Sequence, residues 1–184
     1  MRADAQANHD RLLAVAGAVI TEQGVDASMR DIARQAGVGL ATLLRHFPTR
    51  EALLEALLRT SFDELTARAA EVETTSSPQD AVMLWLRDFV ACTKNYRGVV
   101  TAMVKAIEDP ESALHTSCVT MRGAGTRLLT RAQAEGVART DIDGADLFAL
   151  ASSLAWLGDQ PGLEARAEHL FGVVVGAILT DRAA

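Results

Sequence analysis

The stretch DIARQAGVGLATLLRHF, residues 31–47, decides the fold class of this chain. It holds two short helical patterns with a tight turn between them. Gly37 can adopt the left-handed conformation that ends a helix, and Gly39 tolerates the turn into the next one. Pro48 ends the second pattern. Apolar side chains that can pack between the two helices are those of Ile32, Val38 and Leu43. The order predicts a helix-turn-helix over about residues 28–47.

The segments on either side of this stretch predict further helices. Upstream, apolar residues recur at helical spacing from about Asp10 until Gly24, which can form a C-terminal cap. Ser28, with Asp31 three positions later, predicts a capping box at the start of the second helix. Downstream, Thr49 can cap a fourth helix that runs toward Val72.

The remainder of the chain is also predicted to be helical. A loop is expected at ETTSSP, residues 73–78, because these residues compete with helix hydrogen bonds. Further helices are expected over about residues 79–96, 99–108, 111–135, 143–157 and 163–179. The predicted fold class is therefore all-α, with about nine helices in two domains. Residues 1–55 would form a three-helix domain that contains the helix-turn-helix, and residues 56–184 a helical-bundle domain.

Charge is distributed unevenly along the chain. The net charge of −6 argues against nucleic-acid binding at first, because phosphates need local positive potential. Acids and bases cancel in residues 1–60, however, so that the whole surplus of acid lies downstream. Residues 28–50 carry four arginines against one acid, which concentrates positive charge on the helix-turn-helix.

Composition and cysteine usage exclude several other classes. Apolar residues make up 49% of the 184 residues, which is ample for a buried core. Cys92 and Cys118 stand far apart without ligands at metal spacing, so neither a disulfide framework, a metal site nor a cofactor is predicted. The first ten residues lack a signal core, and the apolar run at residues 173–179 is too short to span a bilayer. We expect a cytoplasmic protein that has no membrane partner.

The combination of motifs in residues 1–60 resembles the TetR family of bacterial transcriptional regulators. The motifs that carry the resemblance are Ile32-Ala33, Ala36-Gly37-Val38, Thr42-Leu43, His46-Phe47 and Thr49-Arg50-Glu51. The resemblance implies a homodimer on double-stranded operator DNA, with half-sites roughly 34 Å or a multiple apart. It also implies that residues 1–55 are a DNA-binding domain and that residues 56–184 form a domain that binds a small-molecule effector and dimerises. A ligand-responsive regulator, acting as a repressor on the nucleoid and not as an enzyme, is the function expected on this basis.

The resemblance also assigns residues to the DNA interface. On the third helix, the positions that would face DNA are Gly39, Leu40, Ala41, Thr42, Arg45 and His46. Ser28, Arg30 and Arg50 would hold the DNA backbone, and Leu44 and Thr49 complete the predicted set. Arg45 is the best candidate for a bidentate contact with guanine, and Leu40 or the Thr42 methyl group for thymine methyl groups.

Two positions depart from the family pattern. Leu44 stands where the family commonly has a tyrosine that reaches a phosphate, so that about 1 kcal/mol per half-site could be missing. Gly39 replaces a frequent serine or threonine and leaves the recognition helix with a poorer cap. The third helix is therefore expected to be ordered fully only on DNA.

Apolar and polar residues of the second domain could line an effector cavity. The predicted ligand-binding residues are Met83, Phe89, Cys92, Met103, His115, Cys118, Met121, Arg122 and Trp156. Most of them would serve equally well as ordinary core, since methionine and free cysteine are common core residues. His115 and Arg122 lie seven residues apart on one helical face and could orient an acidic or polar ligand.

The last two predicted helices are apolar around more of their circumference than a surface helix should be. Gly172 and Gly176 lie four residues apart and would permit close approach of another helix. A homodimer through these two helices is the hypothesis, and the alternative is that they complete the core of the monomer.

Two other functions remain open at this point. His115 and Cys118 are helical neighbours and could serve as the base and nucleophile of an all-helical enzyme, although no third orienting residue accompanies them. A DNA-binding protein that responds to no effector would lack a hollow in its second domain.

Overall fold

A computed structural model describes residues 2–94, 96–160 and 162–180, with the side chains of residues 2–6 and 164 left out. Nine α-helices make up most of this described part. They are α1 (Arg2–Gln23), α2 (Met29–Gln35), α3 (Leu40–His46), α4 (Arg50–Thr75), α5 (Pro78–Thr93), α6 (Val99–Glu108), α7 (His115–Ala134), α8 (Gly144–Gly158) and α9 (Ala167–Ile178). A short 3-10 helix (Glu164–Arg166) precedes α9. The predicted all-α fold class is confirmed.

The helices form two compact units. Residues 1–60 and 95–117 form the first, which we call the N-terminal unit, and residues 61–94 and 118–184 form the C-terminal unit. The predicted division into continuous domains at residues 55 and 56 falls inside α4 and stays a prediction.

Glycine and hydroxyl side chains set the helix ends of the N-terminal unit as the sequence predicts. Gly24 and Gly37 adopt positive φ angles of 90° and 67° after α1 and α2. The Ser28 hydroxyl oxygen accepts the Arg30 amide at the start of α2, and the Thr49 hydroxyl oxygen accepts the Ala52 amide at the start of α4. These bonds satisfy backbone donors that the first turn of a helix leaves free.

Four details of the prediction are wrong. The loop expected at residues 73–78 is reduced to residues 76–77, because α4 continues to Thr75 and α5 begins at Pro78. The capping box at Ser28 is incomplete in the described structure, because the Asp31 carboxylate pairs with Arg34 instead. Helix α1 extends back to Arg2, since its polar first turns contain good helix formers without an apolar stripe. Helix α7 begins only at His115, because the amides of Glu111 and Leu114 are held in turns by side-chain oxygens.

The core of the N-terminal unit fixes the orientation of the short helices. Leu43 on α3 is fully buried, and Phe47, directly after it, is 2% exposed. The turn after α1 is tied to the turn before α6, because the Val25 amide donates to the Arg97 carbonyl oxygen over 3.0 Å. Further buried residues of this unit are Leu12, Ala16, Val19, Ile20, Ile32, Ala33, Leu53 and Leu54.

The core of the C-terminal unit is built on aromatic side chains of α5 and α8. The Phe89 and Phe148 rings meet edge to face at 5.6 Å, and the Trp85 ring lies 5.5 Å from that of Phe89. Trp85 reaches over Gly125 of α7, where an added Cβ atom would come within 2.6 Å of the indole. Asp143 closes a full capping box at the start of α8.

Candidate DNA-binding site

Helix α3 presents one face to the core and another to solvent. Leu43 anchors the helix, whereas Ala41, Leu44 and Arg45 are exposed at helical spacing. Leu40 and Thr42 are half-buried beside them. The exposed face carries small, apolar and cationic groups, which are the kinds of side chain that contact base edges in a major groove.

The four arginines around α2 and α3 fall into two classes. Neither Arg30 nor Arg45 forms an ion pair within the part of the chain that the structure describes, so both can meet an outside anion directly. Arg34 pairs with Asp31 over 3.0 Å, and Arg50 Nη1 lies 3.1 Å from Asp26 Oδ1.

The sequence did not predict the Asp26–Arg50 pair. It assigned Arg50 only to a contact with a DNA phosphate. Asp26 lies in the turn between α1 and α2, and its side chain is 97% exposed. An exposed ion pair of this kind is weak, so a phosphate can displace the carboxylate. No spacing rule connects two residues 24 positions apart, and only the folded turn brings them together.

Ser28 and Thr49 each directly precede a helix, α2 and α4 respectively. Each hydroxyl oxygen already accepts an amide of its own helix, at 3.2 Å for Ser28 and 3.0 Å for Thr49. A hydroxyl group can still donate its proton while it accepts, so both remain able to donate to a phosphate oxygen.

His46 packs against α1. Its Nε2 atom lies 3.3 Å from the Asn8 side-chain nitrogen, and the His9 ring centroid lies 5.9 Å from its own. The side chain is only half-buried. Contact with DNA by His46 therefore stays a prediction, next to a structural role that the sequence did not indicate.

Both departures from the family pattern have a structural counterpart. Gly39 takes the extended backbone of an N-cap residue, with φ −69° and ψ 149°, but offers no side-chain oxygen to the first amides of α3. Leu44 is 38% exposed on the solvent face of α3 and carries no hydrogen-bonding group there.

The predicted ligand-binding residues are divided between the two units. Met103 and His115 belong to the N-terminal unit, and the other seven belong to the C-terminal unit. Trp156 lies on the surface, with 52% of its area exposed. Fully buried members of the set are Phe89, Met103, Cys118 and Met121. Half-buried members are Met83, Cys92, His115 and Arg122. Their joint role as an effector site stays a prediction.

The proposed base and nucleophile pair has unfavourable chemistry. Cys118 is fully buried, and burial raises the pKa of its thiol to about 12. A thiol with this pKa is almost entirely protonated near neutral pH and is a poor nucleophile. His115 Nδ1 lies 2.9 Å from the Ala106 carbonyl oxygen. One of the two ring nitrogens of His115 is therefore already engaged in a hydrogen bond. Among the described residues, no group of three or more potential metal ligands occurs.

Three clefts of the described structure are lined by charged side chains among others. The first, of about 540 Å³, lies within the N-terminal unit and is lined by residues that include Asp26, Arg50, Glu51 and Lys105. The second, of about 410 Å³, lies between α5, α8 and α9 of the C-terminal unit. A third, of about 680 Å³, is lined by residues of α4 and α5 that include Arg68, Asp88 and Cys92. Of the nine predicted ligand-binding residues, Cys92 alone lines one of these three clefts.

The described helices include none that is both long and apolar enough to cross a bilayer.

Two protein-family models match this chain, one near its N-terminus and one over its C-terminal part. Residues 12–57 match the family model of bacterial regulatory proteins of the tetR family. Residues 77–177 match the model of the C-terminal domain of SbtR-like transcriptional regulators. The chain is 27% identical to the HTH-type transcriptional repressor KstR2 of Mycolicibacterium smegmatis, over 92% of this chain and 89% of that protein.

Solved structures agree with this assignment. The TetR regulator SCO0520 of Streptomyces coelicolor is 34% identical, with a TM-score of 0.61 over 94% of this chain and 99% of that one. KstR2 of Mycobacterium tuberculosis, at 22% identity, shares the fold with a TM-score of 0.65 over 94% of this chain and 95% of that one. This chain belongs to the TetR family and is a DNA-binding transcriptional regulator.

Proposed function

We propose that the protein is a homodimeric repressor that reads operator DNA with α3 and leaves it when a small-molecule effector binds. The single observation that carries the DNA-reading role is the solvent face of α3. Arg45 is exposed and unpaired there, within the described structure, on a helix that Leu43 fixes to the core. Anchored on one side and free on the other, the helix can hold an arginine against a base edge.

Arg45 is the proposed base-reading residue. A bidentate contact between a guanidinium group and guanine contributes about 1–3 kcal/mol of discrimination against other bases. Leu40 and Thr42 flank it, and their methyl groups suit the thymine methyl. Contacts to base edges carry sequence information, so these three side chains would set operator preference.

Backbone contacts are proposed for Arg30, Ser28 and Thr49. Arg30 has no competing carboxylate within the described structure, and the two hydroxyls retain a proton to donate. Contacts of this kind position a protein on DNA without reading sequence, and they make affinity fall as the salt concentration rises.

The outer faces of α8 and α9 support the proposed dimer. Trp156 and Val173 are 52% and 54% exposed, which is unusual for large apolar side chains. A Cβ atom added at Gly172 or Gly176 would meet no atom within 4 Å, so packing inside the chain does not require glycine at either position. Close approach of the same helices from a second copy would explain both features.

Effector response is proposed as a difference in effector affinity between two conformations of the dimer. An effector that binds the DNA-releasing conformation more tightly shifts the population toward it. Helix α4 is the proposed link, because its residues belong to both units. Repression rather than activation is favoured by the name of the KstR2 relatives. KstR2 of Mycobacterium tuberculosis is described as a ketosteroid transcriptional regulator, and this description applies to that relative alone.

The test is DNA binding by an Arg45→Ala variant. An operator is first selected from random duplexes with the wild-type protein, and affinities for this operator and for a scrambled duplex are then measured by fluorescence anisotropy. We expect R45A to lose about 10-fold or more in the ratio of the two affinities, in line with one lost bidentate contact.

Arg34→Ala is the matched control, because Arg34 lies on α2 and is already paired with Asp31. It should lower both affinities slightly and leave their ratio unchanged. A wild-type specificity ratio in R45A would contradict the assigned role of Arg45.

A further inference from the structure

We propose that the cleft between α5, α8 and α9 binds a small amphipathic carboxylate, and that this molecule is the effector. The proposal rests on the ligand-responsive function proposed above and adds a location and a chemical class. The cleft has a volume of about 410 Å³, which is within the size range of small-molecule sites.

Small side chains create the cleft. Ala91 on α5, Ala155 and Gly158 on α8, and Ala167 on α9 all line it. A Cβ atom added at Gly158 would meet no atom within 4 Å, so this glycine leaves space that a larger residue could fill. The atoms that line an empty apolar cleft lack dispersion contacts on one side, and a bound ligand would supply those contacts.

The inner surface of the cleft is apolar. Leu154, Ala155 and Phe171 are 5%, 5% and 7% exposed and form its floor, and Val90 lines it from α5. The Arg87 guanidinium group lies 4.5 Å from the centroid of the Phe171 ring and covers one side of that floor. A hydrocarbon body of a ligand therefore finds a matching surface.

Among the side chains that the structure describes, three charged ones line the cleft, and two of them neutralise each other. Arg87 donates two hydrogen bonds to the Glu168 carboxylate, at 2.8 Å and 3.2 Å. These bonds raise the pKa of Arg87 and lower the pKa of Glu168, so both groups stay ionised as a closed pair.

Lys94 is the third charged residue and has no ion-pair partner within the described structure. The lining therefore carries one uncompensated positive charge beside an apolar floor. The ligand that complements this arrangement has a single anionic group and an apolar body, and a carboxylate supplies that charge near neutral pH.

The experiment uses the full-length protein and a series of straight-chain carboxylates from hexanoate to dodecanoate, with decanol as the uncharged comparison. Binding is measured by calorimetry without DNA. We expect decanoate to bind more tightly than decanol. Lys94→Gln should weaken decanoate about fivefold, the upper range for an exposed ion pair, and leave decanol unchanged. Gly158→Leu should abolish binding of both by filling the cleft.

Two matched controls separate the cleft from general effects. Lys105, the other lysine of the chain, lines a different cleft, so Lys105→Gln should not change decanoate affinity. Gly123 on α7 likewise has open space at its Cβ position but does not line this cleft, so Gly123→Leu should bind normally. Thermal unfolding of each variant verifies that it is folded.

Outcomes for the cleft and for the proposed function can be told apart, because operator binding is measured separately without carboxylate. No binding by any member of the series, equal affinity for decanol, or decanoate binding by folded G158L would each overturn the cleft proposal. Decanoate that binds in the cleft but leaves operator affinity unchanged would overturn its role as effector. If the wild type without carboxylate bound operator and scrambled duplexes equally well, that result would instead contradict the DNA-reading function.

Discussion

At the scale of single residues, the ion pair between Asp26 and Arg50 is predicted to weaken DNA binding. The Arg50 side chain is 35% exposed at the first position of α4, and the Asp26 side chain that pairs with it is 97% exposed. A DNA phosphate at Arg50 would have to compete with this carboxylate for the guanidinium group. Asp26 is therefore expected to lower the affinity of the protein for phosphates in general.

Replacement of Asp26 by Asn should therefore strengthen DNA binding. We expect affinity at low salt to rise about two- to fivefold, the range that exposed ion pairs contribute, for operator and scrambled duplexes alike. The measurement is anisotropy over a series of salt concentrations.

An Arg50→Gln background provides the control for this prediction. If Asp26 acts through Arg50, most of the gain from Asp26→Asn should disappear there. An equal gain in both backgrounds would show that the carboxylate acts only as a distant negative charge.

At the scale of elements, α3 is a short helix that depends on its neighbours. It has seven residues, and isolated helices of this length are unstable in water. Leu43 and Phe47 supply the anchoring contacts, while the N-terminal amides receive no side-chain cap from Gly39. The recognition helix is therefore held by its buried face more than by its own ends.

A serine at position 39 should improve the cap. A Cβ atom there would meet nothing within 4 Å, and the backbone already has N-cap geometry. The free energy of unfolding in urea should be about 1 kcal/mol higher for Gly39→Ser than for Gly39→Ala. Both substitutions reduce the backbone freedom of the unfolded chain, but only serine offers a side-chain oxygen to the amides of α3. Equal stability of the two variants would mean that the hydroxyl does not cap α3.

Helix α7 gives a second test of packing, with two glycines two residues apart. At Gly125 a Cβ atom would come within 2.6 Å of the Trp85 ring, whereas at Gly123 it would meet nothing. Gly125→Ala should lower the free energy of unfolding by about 1–3 kcal/mol through overpacking. Gly123→Ala should raise it by about 0.5–1 kcal/mol, because glycine is a poor helix former.

Chemical denaturation of both variants measures the difference. If G125A were more stable than the wild type, the Trp85 ring would have room to move. The close contact at Gly125 would then not constrain the core.

At the scale of the whole molecule, the outer faces of α8 and α9 are the proposed contact surface of a homodimer. One recognition helix covers only a half-site, so specific binding to a two-fold operator requires two copies held at fixed spacing. The exposed Trp156 and Val173 side chains, with open space at Gly172 and Gly176, favour α8 and α9 as the surface that holds them.

Leucine at both glycines should therefore disrupt the pair. We expect the double variant Gly172→Leu, Gly176→Leu to sediment as a monomer at concentrations where the wild type is a dimer, and to lose operator binding. The new side chains point into open space within one chain, so the variant should remain folded, and circular dichroism verifies its helix content. Gly123→Leu is the control, and a double variant that remains dimeric would place the interface elsewhere.

The sequence by itself determined the local features of this protein. Gly24 and Gly37 end helices because few other residues tolerate their positive φ angles, and Ser28 and Thr49 begin helices because their hydroxyls reach amides two or three residues away. Together with the apolar periodicity, these short-range rules were enough for the helix-turn-helix and for an all-α fold.

Only the tertiary structure decided which distant residues meet. The Asp26–Arg50 pair, the contact of His46 with Asn8, and the Arg87–Glu168 pair join residues 24, 38 and 81 positions apart. The same holds for the cleft, which exists because small residues of three separate helices face one another. Periodicity shows that a side chain is turned inward, but the partner it finds there depends on how the helices pack.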